Sequence, residues 1–208
     1  MVGIERISIT NNGIILETEL YQSISNKEKP IVLICHPHPQ YGGNMLNNVV
    51  SGVFNALIKN DISCLRFNFR GVGRSTGAHS DGTGELIDVK TCIDFLINEK
   101  SFQKIILCGY SYGAAVGCSA VKHSEKIIGY ISISFPWGLM GLKYKEMSQT
   151  YKPKLFIQGN RDTIPFEENY SFYHDPKRKK IIDGADHFYG GYEEQVANEV
   201  LDFYNSIC

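Results

Sequence analysis

The feature that most constrains this chain is a series of short, unbroken apolar runs, each bounded by glycine, proline or polar residues. Ile31-Val32-Leu33-Ile34-Cys35 follows Pro30, and comparable runs lie at Ile62 to Phe67, Ile105 to Cys108, Ile127 to Ile133 and Leu155 to Ile157, with a weaker one near Lys179 to Ile182. A strand covered by helices on both faces reads this way, because neither face meets water. Between the runs lie residues repeating at intervals of three and four. Leu46, Val49, Val50, Val53 and Leu57 form one such stripe, and Leu86, Val89, Ile93 and Leu96 another. Each stripe predicts a helix with one apolar face. A third helix is expected after Ser111 and a fourth around Val196, Val200 and Phe203. Strands alternating with helices imply an α/β fold on a mainly parallel sheet, with helices on both faces and right-handed crossovers.

The start of the chain follows a different rule. Ile4, Arg6, Ser8 and Thr10 alternate with Glu5, Ile7 and Ile9, then Asn11-Asn12-Gly13 intervenes before Ile14 to Leu20. Two alternating runs around an Asn-Gly pair predict a β-hairpin, placed at one edge of the sheet. This brings the expected count to about seven to eight strands. No repeat, low-complexity stretch or linker interrupts the pattern, so residues 1–208 are read as a single domain.

Charge and composition narrow the possible partners. A formal net charge of -1 provides no electrostatic footprint for nucleic acid. The one basic run, Lys177-Arg178-Lys179-Lys180, is read as a solvated approach to the next strand. Six cysteines, at 35, 64, 92, 108, 118 and 208, include no CxxC pair and mostly sit in apolar segments, which favours a reducing compartment. No stretch is apolar enough to span a bilayer, and Met1-Val-Gly-Ile-Glu-Arg lacks the character of a signal peptide. The expectation is a cytoplasmic protein without a membrane partner. The oligomeric state is not legible.

In open α/β sheets the reactive loops follow the carboxyl ends of the strands. The sharpest signal there is Gly109-Tyr110-Ser111-Tyr112-Gly113, a G-x-S-x-G sequence between the strand ending at Cys108 and the helical Ala114-Ala115-Val116. A tight strand-to-helix turn exposes the serine and needs the glycines for close approach. A serine hydroxyl becomes a nucleophile only when a base removes its proton and a third group orients that base. Asp162, in the turn after Leu155 to Gly159, and His187, in Gly184-Ala-Asp-His-Phe, follow strand ends in the right chain order. Asp183 and Asp186 compete for the acid role but are too close to His187 in sequence to approach its Nδ1–H from the required side.

The oxyanion formed on attack needs two N–H donors. One is expected from Tyr112, after the nucleophile, and one from the loop His36-Pro37-His38-Pro39-Gln40-Tyr41-Gly42-Gly43. Prolines have no N–H, so His38 is the first choice and Gln40 the second. His36-x-His38 is also half of a metal-ligand pattern, but no third ligand lies nearby, and neither metal nor other cofactor is expected. The turn Phe69-Arg70-Gly71-Val72-Gly73-Arg74-Ser75 has neither dinucleotide nor P-loop spacing and is read as structural.

Taken together, His36-Pro-His-Pro, Gly42-Gly43-Asn44-Met45, Arg66-Phe-Asn-Phe-Arg-Gly-Val-Gly, Gly109-Tyr-Ser-Tyr-Gly and Gly184-Ala-Asp-His-Phe resemble the α/β-hydrolase superfamily, in a small subgroup related to dienelactone-hydrolase-like proteins. Those relatives use cysteine at the elbow, where this chain has Ser111. The resemblance implies hydrolysis of a small-molecule ester or amide through an acyl-enzyme. The expected substrate is a small or medium carboxylic ester, with acyl transfer, peptide cleavage or non-catalytic ligand binding on the same fold as alternatives. Many members insert a lid after the sixth strand; here Ser134 to Pro153 leaves too little chain for a lid domain. Phe135, Trp137, Leu139 and Met140 in that span either line an apolar substrate pocket or pack over the sheet edge.

Overall fold

The computed structural model describes residues 3–25, 28–136, 140–164, 166 and 170–208. Eight strands form one sheet, in chain order β1 (Glu5–Asn11), β2 (Ile14–Tyr21), β3 (Ile31–Cys35), β4 (Cys64–Phe67), β5 (Ile105–Tyr110), β6 (Ile127–Ile133), β7 (Lys154–Gly159) and β8 (Lys177–Ile182). Their order across the sheet is β1-β2-β4-β3-β5-β6-β7-β8. β4, β3, β5, β6, β7 and β8 are mutually parallel. β1 and β2 form the antiparallel hairpin at one edge. Its turn places Asn12 at φ 48° and Gly13 at φ 81°, the left-handed pair that a two-residue hairpin turn requires.

The apolar runs are buried because they face helices on both sides. Successive strand residues point to opposite faces, so Ile31, Leu33 and Cys35 join one core while Val32 and Ile34 join the other. The first core is closed by α2 (Thr83–Asn98) through Val89, Ile93 and Leu96, and by α3 (Tyr112–Cys118). The second is closed by α1 (Asn48–Lys59) through Val49, Val53 and Leu57, and by α5 (Glu193–Ile207) through Val196, Val200 and Phe203. Between β6 and β7 the described residues hold only the short α4 (Leu142–Met147), which leaves no lid domain. No helix among the described residues is long and apolar enough to cross a membrane.

Two local expectations are corrected. Leu46 is not part of the α1 stripe: Asn47 has a non-helical backbone and caps the helix by accepting the N–H groups of Val49 and Val50, leaving Leu46 outside and exposed. The basic run is also not an approach to a strand but most of β8 itself. β8 is an edge strand, and lysine and arginine side chains there discourage pairing with another sheet. Lys180 pairs with Glu199 at 2.8 Å, and Arg178 donates to Ser206 at 3.0 Å.

Candidate active site

At the end of β5 the chain reverses into α3 through Ser111, whose backbone sits at φ 54° and ψ -120°. A serine in that region is strained, and the surroundings enforce it. The Ser111 N–H donates to the Ile133 carbonyl at 2.8 Å, tying the turn to the end of β6. The flanking glycines are required by contact. A Cβ on Gly109 would lie 2.2 Å from the Gly113 carbonyl oxygen, and one on Gly113 would lie 2.3 Å from that of Cys35. The turn therefore packs backbone against backbone and projects the serine outward.

The loops after β7 and β8 are fastened together before they deliver their side chains. Arg161 N–H donates to the Ala185 carbonyl at 2.9 Å, and Gly184 N–H donates to Asn160 Oδ1 at 2.8 Å. Tyr110, beside Ser111, donates its hydroxyl to the His187 carbonyl at 2.6 Å, fixing the histidine backbone from below. These clips bring together three side chains from distant parts of the chain. Ser111 Oγ lies 3.0 Å from His187 Nε2, and His187 Nδ1 lies 2.9 Å from Asp162 Oδ2. An ionised carboxylate only accepts hydrogen bonds. The imidazole therefore carries its proton on Nδ1, and the lone pair on Nε2 faces the serine hydroxyl.

The side chain of Asp162 is fully buried, whereas that of His187 is 26% exposed. Burial alone would raise the Asp162 pKa, but hydrogen bonds from His187, Ser134 and the Ile164 backbone outweigh it and hold the carboxyl below its ordinary range. The rival carboxylates lie elsewhere. Asp186 is exposed and accepts the N–H of Phe188 in its own turn, and Asp183 is exposed and bonded to Asn160.

The loop after β3 lies beside this group, with the His38 ring 4.6 Å from that of Tyr112. Its backbone donors are mostly engaged. Tyr41 and Gly43 N–H donate to the His38 carbonyl, Gly42 N–H to the Pro39 carbonyl, and Gln40 N–H to His38 Nδ1 at 3.2 Å. The N–H of Gln40, the second choice for the oxyanion, is engaged in capping the short helical turn at Pro39–Tyr41. Between Pro37 and Gly43, His38 holds the one backbone N–H not bonded within the loop among the described residues. Tyr112 opens α3, and the first N–H groups of a helix have no acceptor in the helix itself.

His36 is buried and both ring nitrogens are engaged: Nε2 accepts the Phe69 N–H at 3.1 Å, and Nδ1 lies 2.6 Å from the Pro37 carbonyl. It has no lone pair free for an ion. Among the described residues no group of three or more His, Cys, Asp or Glu side chains is placed to hold a metal.

The pocket expectation fares less well. Phe135 is 2% exposed and packs in the core on the α2 and α3 face, and Met140 packs partly buried against the same core. Trp137 and Leu139 lie outside the described residues. A groove of about 660 Å³ with a mixed lining, including Gln40, Asn44, Met45, Leu46, Arg70 and Val72, lies beyond the His38 loop. Two residues given no site role by the sequence, Ser134 and Tyr189, stand behind Asp162. Ser134 had a legible signal, since it is the first residue past the carboxyl end of β6. Tyr189 had none beyond its closeness to His187.

Comparison with known proteins agrees with this architecture. Residues 30–143 match the family model of the alpha/beta hydrolase fold. The chain is 31% identical over 194 residues to the uncharacterized protein RP471 of Rickettsia prowazekii, across 88% of this chain and 82% of that one. An alpha-beta serine hydrolase homologue from Coxiella burnetii superposes with a TM-score of 0.86 at 28% identity, covering 98% of this chain and 97% of its own. XC6422 from Xanthomonas campestris, described as an a/b serine hydrolase without lid, superposes with a TM-score of 0.83 at 23% identity, covering 98% and 94%. From these matches and the strand order, the chain belongs to the α/β-hydrolase fold family.

Proposed function

We propose that this protein hydrolyses a small or medium carboxylic ester through an acyl-enzyme on Ser111. The observation that carries the reading is the unbroken hydrogen-bonded line from Ser111 through His187 to a buried Asp162, with the serine on a strained turn. In this reading His187 Nε2 accepts the Ser111 proton as Oγ attacks the ester carbonyl, and Asp162 stabilises the imidazolium that forms. The Tyr112 and His38 N–H groups receive the oxyanion. Collapse of the tetrahedral intermediate expels the alcohol, which takes the proton from His187. Water then repeats the sequence on the acyl-enzyme and releases the acid. The exposure of the His187 ring supports this second half, because water must reach the acyl carbon. The Coxiella burnetii neighbour, described as a serine hydrolase homologue, supports the nucleophile class.

Labelling with a fluorophosphonate followed by peptide mapping tests the reading, together with turnover of short p-nitrophenyl esters. The expected outcome is modification at Ser111 and loss of esterase activity in step with labelling. Failure to label, or a label mapped to another residue, overturns it.

A further inference from the structure

Asp162 Oδ2 receives two donors: His187 Nδ1 at 2.9 Å and Ser134 Oγ at 2.7 Å, while Oδ1 accepts the Ile164 N–H at 3.1 Å. Ser134 Oγ also lies 2.7 Å from the Tyr189 hydroxyl. Counting protons fixes the direction of this chain. The carboxylate accepts only, so the single hydroxyl proton of Ser134 points at Asp162, and the contact with Tyr189 is made by the tyrosine proton. The order is Tyr189 to Ser134 to Asp162. All three side chains are shielded from water, with Tyr189 and Ser134 both 0% exposed as residues.

Both residues adopt left-handed backbones, at φ 46° for Ser134 and φ 54° for Tyr189. Such conformations are costly for residues other than glycine and persist where the surroundings impose them. Ser134 is held there by its N–H bond to the Ile157 carbonyl at 2.8 Å, and Tyr189 by N–H donation to the Asp186 carbonyl at 3.3 Å. The backbone is thus bent at two places to aim two hydroxyls along one line toward the carboxylate.

We propose that Ser134, oriented by Tyr189, is a positioning residue that holds Asp162 in place and moderates its pull on His187. The inference rests on the reading of Ser111, His187 and Asp162 as a catalytic set. Ser134 shares Oδ2 with the imidazole, so it withdraws electron density from the oxygen that faces the His187 proton. Without it the carboxylate is freer to turn and is a stronger acceptor for the imidazolium.

The test is the pH dependence of fluorophosphonate labelling and of p-nitrophenyl ester turnover in wild type, Ser134→Gly and Tyr189→Phe. Glycine suits the φ of Ser134, so that variant removes the hydroxyl without adding backbone strain. The expected result for Ser134→Gly is a kcat lowered about tenfold, as for loss of one hydrogen bond to a charged group. KM should be unchanged, and the acid limb of the profile should move to higher pH. Tyr189→Phe is expected to shift both in the same direction by less, since it weakens the Ser134 bond without deleting it. It also serves if Ser134→Gly does not fold. Wild-type rates and profiles in both variants overturn the proposal while leaving the catalytic reading intact. If wild type itself fails to label, that reading falls, and the low-field proton resonance of His187 Nδ1–H decides the positioning role. A resonance moved by Tyr189→Phe or Ser134→Gly supports it, and one unmoved by either overturns it.

Discussion

His36 Nε2 accepts the backbone N–H of Phe69 at 3.1 Å, a bond that joins the loop after β3 to the loop after β4. The proton must then sit on Nδ1, where it meets the Pro37 carbonyl at 2.6 Å. The loop that presents His38 to the site is therefore held by a neutral, buried imidazole. Protonating His36 would turn its one acceptor into a donor aimed at another donor.

That bond makes stability depend on pH. Burial pushes the His36 pKa down to about 4, against smaller opposing effects of the Pro37 hydrogen bond and the Glu85 charge. The unfolded chain takes up this proton near pH 6.5. Between those values the unfolded state binds more protons, so the contribution is whole above pH 6.5 and is lost as pH falls toward 4, by about 3 kcal/mol in all. Urea unfolding of wild type and His36→Gln at pH 7.5 and pH 4.5 measures it. The glutamine variant is expected to lose less stability between the two pH values than wild type does, and equal losses would refute the assignment.

The strain at Ser111 predicts a split between stability and activity. Ser111→Ala keeps a side chain at φ 54° and ψ -120°, whereas Ser111→Gly does not. Both variants should lose ester turnover, but the glycine variant should be about 1 kcal/mol more stable than the alanine variant, as relief of one disfavoured backbone conformation implies. Thermal unfolding of the pair gives the difference directly. A less stable Ser111→Gly would mean that the turn is not strained.

Much of this was legible because it depends on local pattern. Apolar runs marked β3, β5 and β6 because both faces of each are covered, and Asn12-Gly13 marked its turn because few residues tolerate that backbone. Ser111, Asp162 and His187 stood out by chain order and by following strands. What failed depended on three-dimensional packing. Phe135 reads as pocket or core equally well, and only its place in the buried cluster on the α2 and α3 face decides. Gln40 reads as an available donor, but the His38 ring folds back to accept its N–H. The pairing of Ser134 with Tyr189 joins residues 55 apart in the chain through two unusual backbone angles, and no periodicity encodes that.

The acid assignment yields a ranking. Asp162 is buried and bonded to His187, whereas Asp186 is exposed and caps its own turn. Asp162→Asn offers a donor where an acceptor is needed and favours the wrong imidazole tautomer, so kcat should fall by about 10³- to 10⁴-fold. Asp186→Asn keeps an oxygen for the Phe188 N–H and should cost less than about threefold, within the usual range for surface changes. Steady-state kinetics on one p-nitrophenyl ester compares them, and the reverse order would transfer the acid role to Asp186.

The oxyanion donor can be isolated by removing a hydrogen while keeping the backbone. His38 has φ -57° and ψ 123° and already precedes a proline, so its backbone already has the φ that a proline ring imposes. His38→Pro deletes the backbone N–H. His38→Ala keeps that N–H and deletes the ring, together with the cap that Nδ1 provides to Gln40. The two variants share the loss of the imidazole and differ mainly in the donor. If the His38 N–H meets the oxyanion, kcat of the proline variant should lie about 10²- to 10³-fold below that of the alanine variant, the usual cost of one such donor, with similar KM. Far-ultraviolet circular dichroism and urea midpoints confirm that both are folded. Equal kcat values in two folded variants would show that the His38 N–H is not the second donor.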